Sequence, residues 1–157
     1  MTAAMFCSIL EAARWGCVGT GFYLAFMPGM TPQMQLHVLM PWLVLPLAGL
    51  TGIESVFLGS AAAKSSGYGA NPAYQRQSGF NNIAVAATAF AVWLFNWGTR
   101  AEAAVLTVLL IFLALSACNH FWTAIRENNR SVKNLLRPLL TLLLLAFSVP
   151  FLARALR

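Results

Sequence analysis

Glu54 and His120 are the two residues of this chain best suited to acid–base chemistry in an apolar setting. A carboxylate and an imidazole held close together can pass a proton near neutral pH or bind a polar head group. Four amides, Gln77, Asn81, Asn82 and Asn119, fall close to them along the apolar stretches of the chain. Gln77 and Asn81 are spaced i, i+4, so on a helix they share one face. Together these residues would line a small polar chamber, with Glu54 and His120 titrating and the amides donating and accepting hydrogen bonds. The same residue types also tie helices to one another in lipid. Residue identity leaves both uses open, although a carboxylate costs more to bury than an amide and so points more strongly to a purpose.

The elements that would carry these groups are apolar. Hydrophobic residues make up 59% of the 157 and charged residues only 9%, and the mean hydropathy is +0.70. A soluble domain carries about 25% charged residues, so this composition calls for lipid as the solvent. One transmembrane domain covering residues 1–157 fits the length, with no room for a sizeable soluble domain. The excess of basic residues is not a nucleic-acid signal, because the ten Lys and Arg lie between apolar runs and form no basic stripe. No nucleic-acid partner is expected.

A spanning helix needs about 20 mostly apolar residues. Candidate spans cover 12–30, 36–59, 80–97, 103–125 and 135–153, the first weakened by Glu11 and Arg14 at its start. The expected fold class is therefore all-α, an integral membrane bundle of four to five transmembrane helices. The Ser/Gly/Ala-rich segment 60–79 reads as a loop able to fold over the helix ends. Placing the N-terminus in the cytoplasm puts seven basic residues (Arg14, Lys64, Arg76, Arg126, Arg130, Lys133, Arg137) inside and three (Arg100, Arg154, Arg157) outside. That bias favours a multi-pass protein of the bacterial inner membrane with a cytoplasmic N-terminus. In this orientation Glu54, His120 and the four amides all lie toward the cytoplasmic face.

Other features carry less chemistry. Met27, Met30, Met34, His37 and Met40 gather around the first outer loop. Thioethers and imidazole suit Cu(I), but the irregular spacing offers no preorganised site, and no metal or cofactor is expected. Cys7, Cys17 and Cys118 form no CxxC, and Cys17 and Cys118 read as small buried hydrophobes. His37 and His120 lie at opposite membrane faces, roughly 25–30 Å apart at the helical rise per residue, and cannot share one haem. Trp15, Trp42, Trp93, Trp97 and Trp122 read mostly as interfacial anchors.

The segment Gln77-Ser78-Gly79-Phe80-Asn81-Asn82-Ile83-Ala84 resembles the helix-opening motif of an uncharacterised family of small bacterial polytopic membrane proteins. Asn119-His120 is similar to the pair that closes the next helix of that family, and Arg126 to Arg130 with Arg137-Pro138 fit its last loop. The likeness covers roughly residues 36–150 and implies no activity. Fainter similarities run to DoxX-like four-helix proteins and to the MAPEG glutathione-using enzymes, whose fuller Arg- and Asn-rich signature is missing around Arg76 and Asn81.

The expected function is that of a small polytopic membrane protein without catalysis of its own, an accessory subunit of a larger membrane complex or a homo-oligomer in contact with membrane lipid. Small residues on helix faces (Gly16, Gly19, Ala84, Ala87, Ala91) suit such contacts. The alternatives are a MAPEG-like enzyme acting on a lipophilic substrate, with His120 as acid/base and Glu54 as its partner, and a small proton-linked carrier.

Overall fold

The computed structural model describes residues 2–157. Among these the chain is all-α: α1 spans Ala3–Ala25, α2 Pro32–Val44, α3 Thr51–Ser65, α4 Pro72–Leu94, α5 Thr99–Arg126 and α6 Val132–Ala155. A π-helical segment, Leu45–Leu50, joins α2 to α3, so that Pro32–Ser65 is one continuous helix of 34 residues. The bundle thus has five rods joined by short turns.

Each turn has a local cause. Thr2, Thr31, Asn71 and Ser131 stand before helices α1, α2, α4 and α6, and each side chain accepts from a backbone N–H in the first turn. Thr31 and Asn71 are followed by Pro32 and Pro72, whose fixed φ and missing N–H suit the first helical position. These caps start the helices earlier than hydropathy suggests. The link between α3 and α4 is only 66–71, so Gln75, Arg76 and Gln77 belong to α4 and not to a loop folded over the helix ends. Gly67 adopts φ +76, and a Cβ there would lie 2.2 Å from Asn129 Oδ1. That position needs glycine for its conformation and for the close approach of the 66–71 link to the α5–α6 turn.

Pro41 and Pro46 explain the break in the long helix. Neither can donate a backbone hydrogen bond, and each ring crowds the preceding turn. The chain relieves this with one wide turn and does not end the helix, an option that membrane helices tolerate. At about 1.5 Å per residue the 34-residue helix exceeds the roughly 30 Å of a bilayer core, so it must tilt or emerge from it.

Among the described residues, three helices are long and apolar enough to cross a membrane: Pro32–Ser65, Thr99–Arg126 and Val132–Ala155. This corrects the expectation of four to five. Helices α1 and α4 are each 23 residues long, but Glu11 and Arg14 interrupt the first, and Gln75 to Gln77, Asn81 and Asn82 the second. The core lies around α2, whose Leu36, Leu39, Met40, Leu43 and Val44 are fully buried against α1, α4, α5 and α6. Large apolar side chains such as Phe57, Leu115, Phe121 and Leu142 point outward, a surface suited to lipid and not to water.

Candidate functional site

Glu54 is buried on α3, and Arg14 of α1, equally buried, meets it. The Arg14 guanidinium donates to the Glu54 carboxylate, to Glu11 Oε2 at 3.3 Å and to the Leu50 carbonyl at 3.4 Å. Glu11 also accepts from Trp15 Nε1 at 3.2 Å. The spacing of Glu11, Arg14 and Trp15 puts all three on one face of α1. Arg14 Nε is buried and has no hydrogen-bond partner among the described residues. Two carboxylates thus surround one guanidinium. Cys7, one helical stretch below, is fully buried, and burial together with the neighbouring Glu54 carboxylate pushes its thiol up from the ordinary value. A thiol kept protonated in this way is a poor nucleophile.

His120 belongs to a second cluster. Its Nδ1 lies 2.7 Å from Asn134 Oδ1 and 2.9 Å from Tyr68 Oη. Tyr68 Oη also donates to Asn134 Oδ1 at 2.9 Å and meets Thr123 Oγ1 at 3.0 Å. Asn134 Nδ2 donates to the carbonyls of His120 and Asn129 at 3.0 and 2.8 Å. On the far side of the ring, Arg137 Nη1 stands 3.3 Å from Nε2. An acceptor at Nδ1 and a donor at Nε2 fit the tautomer with its proton on Nδ1. Each polar atom of the ring therefore has a partner from the protein, contributed by α6 and the 66–71 link.

No hydrogen bond among the described residues joins Glu54 to His120, so the single chamber expected from depth resolves into two clusters. The reason is that each group finds a closer partner on another element: Arg14 for Glu54, and Tyr68 with Asn134 for His120. A hollow of about 270 Å³ between α3 and α4 is lined by residues including Ser55, Gly59, Gln75 and Arg76, not by Glu54 or His120. The amides do not converge on either cluster. Asn82 is buried but donates to the Ser78 carbonyl of its own helix at 2.9 Å. Gln77, Asn81 and Asn119 are exposed on the outside of the bundle.

A third polar pair lies toward the opposite end. His37 Nδ1 meets Glu102 Oε1 at 2.5 Å, the imidazole N–H donating to the carboxylate. Glu102 is only 2% exposed, and His37 stacks on Trp93 with ring centroids 6.4 Å apart. Glu102 is not among the residues that the sequence singles out by type and spacing, although a lone carboxylate next to the start of an apolar run is a signal in itself. His37 is thus engaged by a carboxylate, while Met40 is buried in the core and Met27 and Met34 are exposed. The cysteines are all free, and Cys118 is exposed on α5 instead of buried.

Residues 13–157 match a family model described as "Family of unknown function (DUF6790)". The chain belongs to that family. No curated protein and no solved structure matches the chain. Membership bears out the resemblance to an uncharacterised membrane family carried by residues 77–84 and 119–120. The DUF6790 segment takes in all three polar clusters apart from Glu11. In chemical terms the first cluster is an ion pair buried in an apolar bundle, the second is a hydrogen-bonded knot, and the third is an imidazole hydrogen-bonded to a buried carboxylate. All three link parts of the chain distant in sequence, Arg14 with Glu54, His37 with Glu102 and Tyr68 with Asn134.

Proposed function

We propose that this chain is a non-catalytic subunit of the bacterial inner membrane, N-terminus cytoplasmic, that assembles with copies of itself or with a larger membrane complex through the outer face of α4. The observation that carries this is Asn81. Its amide is exposed nine residues into α4 and has no hydrogen-bond partner among the described residues. An amide left to face hydrocarbon costs free energy, whereas across a helix–helix contact it stabilises the contact. Ala84, Ala87 and Thr88 lie beyond it and are exposed too, with small side chains that let a second helix approach. The closed network around His120 supports a structural role there, because Nε2 already faces a guanidinium and Nδ1 an amide oxygen. The excess of basic residues at the end of the bundle that holds Lys64, Arg126 and Arg137 supports the orientation.

The test is a photo-crosslinking amino acid placed at position 81 or 88 of the chain in native membranes, with position 142 on α6 as the control. The expected result is a discrete crosslinked band from 81 and 88, identified by mass spectrometry as a second copy or as one fixed partner. Crosslinks to lipid alone from all three positions would overturn the proposal.

A further inference from the structure

The outward face of α3 changes character along its length. Ile53, Phe57, Ser60 and Lys64 are all exposed and follow one another at intervals of three or four residues, so they form one stripe. Toward the end of the helix the stripe passes from two apolar side chains through a hydroxyl to a cation. The antiparallel helix α4 repeats the order. Arg76 is exposed in its second turn, and Phe80, one turn deeper on the same face, is exposed too. Gly59 packs on Gln75 and Gly52 on Gly79, so the two helices run side by side with Arg76 within about a turn of the level of Ser60.

The hollow of about 270 Å³ opens over this stripe, lined by Phe57, Ser60, Gln75 and Arg76 together with Ala3 and Pro72. It is several times larger than the roughly 30 Å³ share of one water, so a phosphate and its ester oxygens fit. Ala3 and Pro72 are the first residues of α1 and α4, so the positive ends of two helix dipoles lie at the hollow. The basic side chains there have no acidic partner. The charge pairs of the bundle are built on Arg14 and His37, and among the described residues neither Lys64 nor Arg76 meets a carboxylate. No carboxylate lines the hollow. Glu54, the one carboxylate of α3, is buried and turned to Arg14, which it shares with Glu11. That cluster leaves one negative charge beside α1, against two cations and two dipole ends at the hollow.

We infer that the hollow binds the headgroup of an anionic phospholipid, its phosphate held by Arg76, Lys64 and the Ser60 hydroxyl and its acyl chains lying along Phe57, Ile53 and Phe80. Basic pockets between membrane helices hold anionic headgroups in this way. A free phosphate would need only the cationic end. The apolar continuation of both helix faces, exposed where the long helix enters the bilayer, is what selects a lipid. The inference rests on the embedding of that helix in a membrane. It rests neither on the α4 contact proposed above nor on which end of the bundle is cytoplasmic.

The experiment is native mass spectrometry of the purified full chain in detergent micelles. Phosphatidylglycerol and phosphatidylcholine with identical acyl chains are titrated separately. Expected is one phosphatidylglycerol retained per chain, bound at least about fivefold more tightly than phosphatidylcholine. Arg76→Gln should weaken the phosphatidylglycerol by about fivefold, the effect of one basic side chain on an anionic lipid. Arg130→Gln, which removes an exposed basic residue of the α5–α6 turn outside the hollow, should leave it unchanged. Glycerol 3-phosphate, which offers the phosphate without the acyl chains, should not displace the lipid at equal concentration. Equal retention of the two lipids, equal effects of the two variants, or displacement by glycerol 3-phosphate each overturns the inference. The comparison of lipids needs no variant, so misfolding of Arg76→Gln cannot leave the question open.

Discussion

Gly52 and Gly79 bring the backbones of α3 and α4 into contact. A Cβ built on either would lie 2.9 Å from the carbonyl oxygen of the other. At Gly79 the same Cβ would come within 2.7 Å of Val56 Cγ2. Close approach of this kind is how helices pack where no hydrophobic force draws them together. Gly79→Ala and Gly52→Ala should each cost about 1–3 kcal/mol through overpacking. Gly16→Ala, where nothing lies within 4 Å of the added carbon, should cost nothing measurable and gain slightly in helix propensity. Thermal unfolding in a mild detergent, followed by circular dichroism, ranks the three. A Gly16→Ala variant less stable than Gly79→Ala would contradict the packing described above.

The Arg14–Glu54 pair is buried on both sides, so breaking it from one side leaves an uncompensated charge. Glu54→Gln should destabilise by about 3–5 kcal/mol. The double replacement Arg14→Met, Glu54→Leu should recover most of that loss, since an apolar pair needs no solvation. A thermodynamic cycle over the two single variants and the double variant measures the coupling. Additive single effects would mean that the two side chains do not depend on each other.

Tyr68 is the only side chain of the 66–71 link seen to bond the His120 cluster. Tyr68→Phe keeps the ring, which sits 5.8 Å from the imidazole, and removes the hydroxyl. The loss should be about 1–3 kcal/mol, the cost of leaving buried partners unpaired. It should also loosen the link, seen as faster amide hydrogen exchange at 66–71. Exchange that is unchanged there, with lost stability elsewhere, would argue against the role of this tie.

The charge bias of the loops predicts sidedness. In a chain whose own three cysteines are replaced, Lys64→Cys should resist a membrane-impermeant maleimide added to intact cells, and Arg100→Cys should react. Labelling of position 64 from outside reverses the proposed orientation.

The rods of the bundle were legible in the sequence because each contains an apolar run, and Leu106, Leu144 and Phe151 pack in the core. Their starts were not, since hydropathy ignores caps. Asn71-Pro72 sets the start of α4 eight residues before the apolar run begins, and Thr2 caps α1 so that it starts nine residues before residue 12. Burial of Glu54 and His120 followed from the cost of exposing them to lipid. Their partners did not follow. Depth along a helix says how far a group lies from the membrane surface, but not which way it faces around the helix axis. Glu54 therefore turned toward Arg14, and His120 toward Tyr68 and Asn134, partners that depth alone does not single out. Asn81 and Asn119, at the same depth as their neighbours, turned outward. Glu102 stands alone beside Arg100 at the start of an apolar run, and nothing in its sequence neighbourhood points to His37, 65 residues away.

The wide turn at Leu45–Leu50 also sets an angle. A straight α-helix advances about 100° per residue, and a π turn takes in one more residue than an α turn. Every side chain after the turn is therefore displaced around the axis by about 100° from where an unbroken helix would put it. Before the turn, His37 is aimed at Glu102, and after it Glu54 is aimed at Arg14 and Gly52 at Gly79. Both aims hold only in this phase. Closing the wide turn into a regular α-helix without removing a residue would leave the helix as apolar as before, yet would turn its second half by about 100° toward the wrong neighbours.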